Sequence, residues 1–561
     1  MNITTSSNTE TIVKPADIIT GFSFNELKGL KVLFVNMPLR EGARPNVPPQ
    51  GPALLASRLR MHGAAPCILD LNAYRIETSE KEKKQHRLLN FDEAEELLVQ
   101  YLHAHGDQDI IAFSGMITTL RWQEQFAKIS RKHQPKTFLI SGGGLATQLK
   151  ENLFAWVDEL DAVAHSEGDD IILIIGKDVI NKKNSGRPFN NSSNPYYIGE
   201  ISNKDRFLYA GDRSKNLDEL PLPAWDLLEK DVNGNEILEQ YINTPVWGSS
   251  ANNSSSTPFS MTRSLTTVSS RGCPYECTFC YRGAQGERLY GIRSAKNLAD
   301  EVRWLIDKYN IDFVGFPDDN FAVDKGRIRQ LPSEFEELNI RWGTHTRLDE
   351  ADSRLEPMAK SGCIYIGYGA ESASENVLNA MKKGGFMLRN GITKINGYRF
   401  PTTMVDGIVN TRNNGIHSNC TWIMGFPEET LEDLKISVAF IEWQKELVTN
   451  GLRVGTEEYK VALNSINQNM FVATAYPGTE MFEHSVVRDK LHKNFGINFD
   501  NNYNPSIDEN YKKYILELDD ATKLLSNSEG DIINYGAIPD DTFKQIRNYV
   551  EQGKLSSILD I

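Results

Sequence analysis

Three cysteines crowd one short stretch of the chain: Ser270-Arg271-Gly272-Cys273-Pro274-Tyr275-Glu276-Cys277-Thr278-Phe279-Cys280, a C-x3-C-x2-C spacing. Three thiolates on one loop can bind three irons of a cubane 4Fe-4S cluster, for which thiolate is the usual ligand. The fourth iron then lacks a protein ligand, and an open coordination position is where a small molecule chelates. A zinc site and plain structural thiols are the alternatives. Closed zinc sites take a fourth ligand, often from a second Cys or His pair, and no such pair lies nearby in the sequence. Cys67, Cys363 and Cys420 sit in or beside apolar runs and read as buried, inert thiols.

Other side chains with chemical capacity lie further along. His345, in Gly343-Thr344-His345-Thr346-Arg347, ends an expected strand, where it would serve proton transfer, substrate binding or the structure of a rim. Arg347 is suited to a carboxylate or phosphate, or to an ion pair with Asp349 or Glu350. Tyr281 and Arg282 follow the last clustered cysteine and are placed to pack over whatever it holds.

The elements that must position these residues alternate β and α. Expected strands fall at 31–36 (KVLFVN), 67–71, 110–114 (IIAFS), 137–140 and 162–165, with helices at 51–62, 91–103 and 122–132. That rhythm predicts an α/β, doubly wound parallel sheet. Residues 183–264, rich in Asn, Ser, Gly and Pro, read as a linker with insertions, and 217–228 as a segment able to dock on a domain. Strands are expected again at 265–269, 313–316, 341–346, 364–367, 420–424 and 469–474, with helices clearest at 297–309 and 355–360. Six such repeats make a partial (β/α)6 barrel whose working face lies at the strand C-termini. The division is then a leader at 1–28, a Rossmann-type domain at 29–182, the linker, a partial barrel at 265–489 and a small mixed or helical C-terminal region at 490–561. Residues 384–398 lengthen the connection to the fifth strand, as a substrate lid or a tolerated insertion.

The cysteine loop, with Phe279 just before its last Cys, resembles that of the radical S-adenosylmethionine (SAM) superfamily. Other features recur in family order over about residues 265–485. Gly315-Phe316-Pro317-Asp318-Asp319-Asn320 stands where the family holds the methionine amino group. The usual Gly-Gly-Glu is absent, so Asp318 or Asp319 must serve. Tyr368-Gly369-Ala370-Glu371-Ser372 looks like the ribose-contacting element, which implicates Glu371 and Ser372. Ile423-Met424-Gly425-Phe426-Pro427-Glu428 is similar to the adenine-contacting element, which implicates Ile423, Gly425 and Glu428. Ala475-Tyr476-Pro477-Gly478-Thr479 matches a recurrent turn. The resemblance implies reductive cleavage of SAM by a 4Fe-4S cluster on Cys273, Cys277 and Cys280, fed by a donor such as flavodoxin or ferredoxin.

Residues 30–175 resemble the cobalamin-binding domain that precedes many radical SAM domains. The shared features are the first strand, Val47-Pro48-Pro49-Gln50-Gly51-Pro52, Ser114-x-Met116, Ser141-Gly142-Gly143-Gly144 and Ser166-Glu167-Gly168-Asp169. Ser114, Gly142 and Gly143 are the implied cobalamin contacts, since glycine lets a nucleotide tail approach the backbone. The cobalt-binding His of D-x-H-x-x-G is missing from Asn36-Met37-Pro38-Leu39-Arg40-Glu41-Gly42. The resemblance thus implies a cobalamin-dependent methyltransferase acting on an unactivated carbon, or phosphorus, of a small molecule or peptide. A cobalamin-free radical cyclase, rearrangement or oxidation enzyme and a non-catalytic iron–sulfur sensor are the competing readings.

Bulk properties agree with such a chain. At 561 residues it exceeds one ordinary core, and 40% hydrophobic with 24% charged residues is ordinary for a globular protein. A net charge of −14 disfavours nucleic acid as a partner. No apolar run approaches a membrane span, and the first residues lack a secretory pattern, so a cytoplasmic location is expected.

Overall fold

The computed structural model describes residues 22, 24–39, 47–74, 76–80, 83–185, 194–244, 261–281, 290–499, 508–519, 524–527 and 529–561. Readings placed on residues 1–21, 40–42, 249–256 and on Arg282 lie outside them. Two compact units emerge, one of Met1–Ile242 with Ile497–Lys523, the other of Asn243–Arg282, Arg288–Gly496 and Leu524–Ile561.

In the first unit β1 (Lys31–Asn36) is buried at every position after Lys31, as a central parallel strand covered on both faces must be. It is followed by α1 (Gln50–Met61), β2 (Ala65–Asp70), a hairpin of β3 (Ile76–Glu80) and β4 (Lys83–Arg87), and α2 (Phe91–His105). A capping box between Asn90 and Glu93 starts α2, and Gly106 stops it. Then come β5 (Ile110–Ser114), α3 (Leu120–His133), β6 (Phe138–Gly142), α4 (Gly144–Leu149), α5 (Leu153–Trp156), β7 (Ala162–Ser166), α6 (Ile171–Ser185), β8 (Tyr197–Ile201), β9 (Lys204–Gly211), α7 (Asp226–Glu229) and α8 (Ile237–Ile242). The sheet order is β2-β1-β5-β6-β7-β9-β8, parallel except for the β8–β9 pair. Its core is aliphatic, with Val32, Leu33, Val35, Ile110, Ile111 and Leu139 fully buried. Each such side chain contributes on the order of 1.5–3 kcal/mol.

Three boundaries differ from the sequence reading. Residues 197–242 are not linker: β8 and β9 extend the first sheet, and Trp225 and Tyr241 are buried with it. The polar flanks masked the alternation inside KDRFLYAG, which puts Phe207 and Tyr209 into the core. The leader ends sooner than residue 28, because Leu27 is fully buried and donates its N–H to the His62 carbonyl. The C-terminal region is not one cap: helix Glu509–Glu517 belongs to the first unit and helix Asp540–Glu551 to the second. Helix Glu509–Glu517 sets Tyr511 beside Trp156, with ring centroids 5.8 Å apart, and pairs Lys512 with Glu124.

The second unit starts with β10 (Ser264–Thr266) and the short pair β11 (Ser270–Arg271) and β12 (Gly291–Ile292). Next are α9 (Ala295–Tyr309), β13 (Phe313–Phe316), α10 (Lys325–Phe335), β14 (Arg341–Arg347), α11 (Leu355–Lys360), β15 (Cys363–Glu371), α12 (Glu375–Ala380) and α13 (Gly384–Met387). The expected lid or insertion at 384–398 forms α13 and most of the hairpin β16 (Ile392–Ile395) and β17 (Tyr398–Pro401). After these come α14 (Thr402–Asn413), β18 (His417–Met424), α15 (Leu431–Thr449), α16 (Glu457–Asn464), β19 (Met470–Val472) and α17 (Ser485–Phe495). All six strands of the order β10-β13-β14-β15-β18-β19 run parallel, so their C-terminal ends share one rim. Met261, Phe313 and Tyr365 pack together as one buried cluster, low in the half-barrel. Among the described residues no helix is long and apolar enough to cross a membrane.

Candidate active site

The cysteine loop leaves the half-barrel just beyond β10 and is fastened at both ends. At its start, the buried Asp318 carboxylate accepts from the Ser269 N–H at 2.8 Å, from the Ser269 hydroxyl, and from the Ser270 hydroxyl at 2.6 Å. Arg327 of α10 donates to the Ser269 carbonyl at 3.0 Å and lies over the Phe321 ring. Gly272, at φ +79°, donates its N–H to Asp319 at 3.1 Å. At the far end, the Thr278 N–H bonds the Met381 carbonyl, and the Met481 N–H bonds the Thr278 carbonyl. Phe279, the aromatic before the last cysteine, meets Phe426 edge-on at the turn after β18.

The two candidate acids are therefore different in kind. Asp318 is buried and committed to two serines, and burial raises its pKa against the pull of Arg327. Asp319 is exposed and close enough to Cys273 and Cys280 to act on their ionisation.

Cys273 and Cys277 are half-buried and Cys280 is exposed. Burial pushes the Cys273 thiol up to about 11, and Cys277 adds repulsion. Part of Cys280 reaches solvent, yet its sulfur is hemmed in by protein, which with Cys277 and Cys273 pushes it up to about 12. Thiols that resist ionising side by side need a cation to share their charge. Among the described residues no three His, Cys, Asp or Glu side chains close around one point as a finished metal cage. The donors the cysteine loop offers are all sulfur and number three, which suits a cubane with one open iron better than a closed zinc site.

Arg347 reaches this loop from the end of β14. Its Nη1 donates to Cys277 Sγ at 3.4 Å, its Nε to Asp349 at 2.9 Å, and its guanidinium lies 4.0 Å over the Tyr275 ring. Tyr275 donates its hydroxyl to Glu350. His345, two residues earlier, presses on Gly367 of β15, where a Cβ would come within 2.5 Å of its ring. Burial lowers its pKa to about 4, so the ring is neutral near pH 7.

Further round the rim, β15 ends at Glu371 with φ +66°. Its carboxylate accepts from Lys383 Nζ at 3.0 Å and from the Thr421 hydroxyl at 3.3 Å. Ser372 is fully buried and bonded to Ser437, turned towards α15. At the turn after β18, Glu428 is exposed at φ +70°, with His484 3.8 Å away. The acid that closes this turn is the next one, which the sequence reading passed over. Glu429 is fully buried, accepts the Gly425 N–H at 2.6 Å, and is pushed up to about 8 by burial. Ile423 is half-buried on β18, and Gly425 has φ +74° with Phe543 packed against it.

In the first unit, Ser114 and Gly142 are register partners at the C-terminal edge of the sheet. Gly143, at φ +83°, lets the β6–α4 turn touch the turn after β5, since a Cβ would lie 2.8 Å from the Gly115 carbonyl oxygen. A Cβ on Gly142 would meet nothing closer than 3.8 Å, so glycine there leaves the edge bare without being required by packing.

With this geometry established, comparison with known proteins identifies the second unit's framework. Residues 267–441 match the Radical SAM superfamily. The chain is 23% identical over 474 residues to an uncharacterized methyltransferase of Pyrococcus horikoshii, covering 83% of this chain and 85% of that protein. It is 27% identical over 238 residues to the cytidylyl-2-hydroxyethylphosphonate methyltransferase of Streptomyces wedmorensis, covering 40% of this chain and 39% of that one. In fold it resembles the radical SAM methyltransferase TsrM of Kitasatospora setae, solved with cobalamin and a [4Fe-4S] cluster, at a TM-score of 0.54 and 14% identity over 84% of this chain and 79% of that one. It also resembles the cobalamin-dependent radical SAM enzyme OxsB, solved with aqua-cobalamin and SAM, at a TM-score of 0.57 and 17% identity over 83% and 62%. The cysteine loop, the parallel half-barrel behind it and the match itself together mark residues 267–441 as a radical SAM domain.

Proposed function

We propose that the chain is a cobalamin-dependent radical SAM methyltransferase that methylates an unactivated carbon, or phosphorus, of a small molecule or peptide. The observation that carries this is the all-sulfur loop on the rim of the half-barrel, in one chain with a second parallel sheet of exposed glycine edge. Methyltransferase relatives and cobalamin-bound structures of like fold support it.

Cys273, Cys277 and Cys280 would hold the 4Fe-4S cluster, and Ser114, Gly142 and Gly143 would line the cobalamin. Together these groups supply one-electron cleavage of SAM and a transferable methyl group. The protein's own residues bind and orient. Asp319, exposed beside the cysteines, is the acid for the methionine amino group, while Asp318 fixes the loop. Glu371, aimed by Lys383 and Thr421, faces the ribose. Ile423 and the Gly425 backbone serve the adenine, and Glu429 holds their turn. Neutral His345 and cationic Arg347, two residues apart, share one face of β14. A low-potential donor such as flavodoxin or ferredoxin would supply the electron, and six free thiols accord with a cytoplasmic setting.

Anaerobic reconstitution tests the reading in two steps. Iron, labile sulfide and SAM-dependent 5′-deoxyadenosine are expected. Incubation with hydroxocobalamin should then leave a bound corrinoid spectrum after gel filtration. Cluster activity without a retained corrinoid would remove the methyltransferase and leave a cobalamin-free radical enzyme.

A further inference from the structure

We infer that Arg347 sets the reduction potential of the cluster, acting as a positioning residue through Cys277; this rests on the iron–sulfur reading above. Arg347 comes from a strand far along the chain, yet its Nη1 donates to the Cys277 sulfur at 3.4 Å. The side chain is 7% exposed and doubly gripped. The buried Asp349 carboxylate takes its Nε at 2.9 Å, and the Tyr275 ring lies beneath it at 4.0 Å, with Phe386 at 5.8 Å. Tyr275 lies between the first two cysteines of the loop. The bond to Asp349 fixes the planar fork, so the direction of Nη1 is set before any cluster binds. Nη2 is buried without a hydrogen-bond partner among the described residues.

Cluster potentials respond to hydrogen bonds on sulfur and to net charge nearby. Reduction adds one electron, supplied by a one-electron donor of the flavodoxin or ferredoxin class, and forms or breaks no bond in this step. A cation and an N–H donor on a cluster thiolate both favour the reduced state, most where water is excluded. Asp349, in contact with the guanidinium, opposes it. A residue that only clamped the loop would show no such opposition of sign.

EPR-monitored redox titration of the anaerobically reconstituted full-length chain separates the two roles. Arg347→Gln is expected to disfavour reduction at least tenfold, a shift of about 59 mV to more negative potential. Arg347→Lys, which keeps the charge and loses the fork, should fall between it and wild type. Asp349→Asn should move the potential the opposite way. Shifts of the same sign for Arg347→Gln and Asp349→Asn, or shifts under twofold for both, would overturn the inference. If Arg347→Gln retains no iron, the sign of the Asp349→Asn shift decides alone. Wild-type protein without iron and labile sulfide would instead refute the cluster reading itself.

Discussion

Ser270 donates its hydroxyl to the buried carboxylate of Asp318 at 2.6 Å, which ties the strand entering the cysteine loop to the turn after β13. The adjacent Asp319 points outward beside the thiols. Asp318→Ala should therefore destabilise the second unit by about 1–3 kcal/mol, the cost of buried donors left unpaired, and lower iron retention on reconstitution. Asp319→Asn should keep wild-type stability and iron content while weakening SAM binding. Urea denaturation, iron analysis and equilibrium dialysis against SAM read the three effects. Equal loss of stability in both variants would refute the division of labour.

Glu429 gives the second unit a pH signature. Its folded-state pKa, near 8, lies above the usual carboxyl value of 4.5 because the group is buried. Between those values the unfolded chain has released a proton that the folded chain keeps, so this contribution is full below about pH 4.5 and is lost as pH rises to about 8. Glu429→Gln, which can still accept the Gly425 N–H, should gain stability relative to wild type as pH rises from 5 to 8. Parallel melting curves across that range would show Glu429 ionised in both states.

Lys383 and Glu371 form a buried pair, with side chains 3% and 11% exposed. Removing one partner leaves an uncompensated charge, so Lys383→Met or Glu371→Gln should each cost about 3–5 kcal/mol. The double variant should recover part of the sum, giving a favourable coupling energy in a double-mutant cycle. Additive costs would mean that the two side chains act independently.

Gly142 and Gly143 should part company on substitution. Gly143→Ala forces a Cβ against the Gly115 carbonyl at a backbone angle reserved for glycine, and should destabilise the first unit by roughly 1–3 kcal/mol. Gly142→Ala makes only ordinary van der Waals contact, nothing nearer than 3.8 Å, and should fold normally. Its effect should appear only as weaker corrinoid retention, measured from the absorbance that survives gel filtration. Retention equal to wild type would remove Gly142 from the cobalamin site.

Legibility in the sequence followed local pattern. KVLFVN and IIAFS are strands because an apolar run that short, between turn signals, has little else to form. All six strands of the half-barrel lie where expected, within a few residues. The hairpin IETSE/KKQHR carries no apolar alternation and escaped notice. β8 and β9 escaped because polar flanks hide the alternation of their hairpin, whose link to the sheet runs only through β9 to β7. Site residues divide the same way. The cysteines declare themselves by spacing, whereas choosing Asp318 or Asp319, or Glu428 or Glu429, requires knowing which way a turn points each side chain. Both acids of the second pair are glutamates, and only the left-handed backbone at Glu428 puts the next carboxyl inside.

Helix Glu509–Glu517 completes a unit whose first strand is made hundreds of residues earlier. During synthesis that unit must wait, with Trp156 missing its Tyr511 neighbour, while the entire half-barrel emerges from the ribosome. The packing of the first unit is thus completed only once the helix Glu509–Glu517 has been made. A premature stop codon after Gly496 would injure the end of the molecule that was translated first.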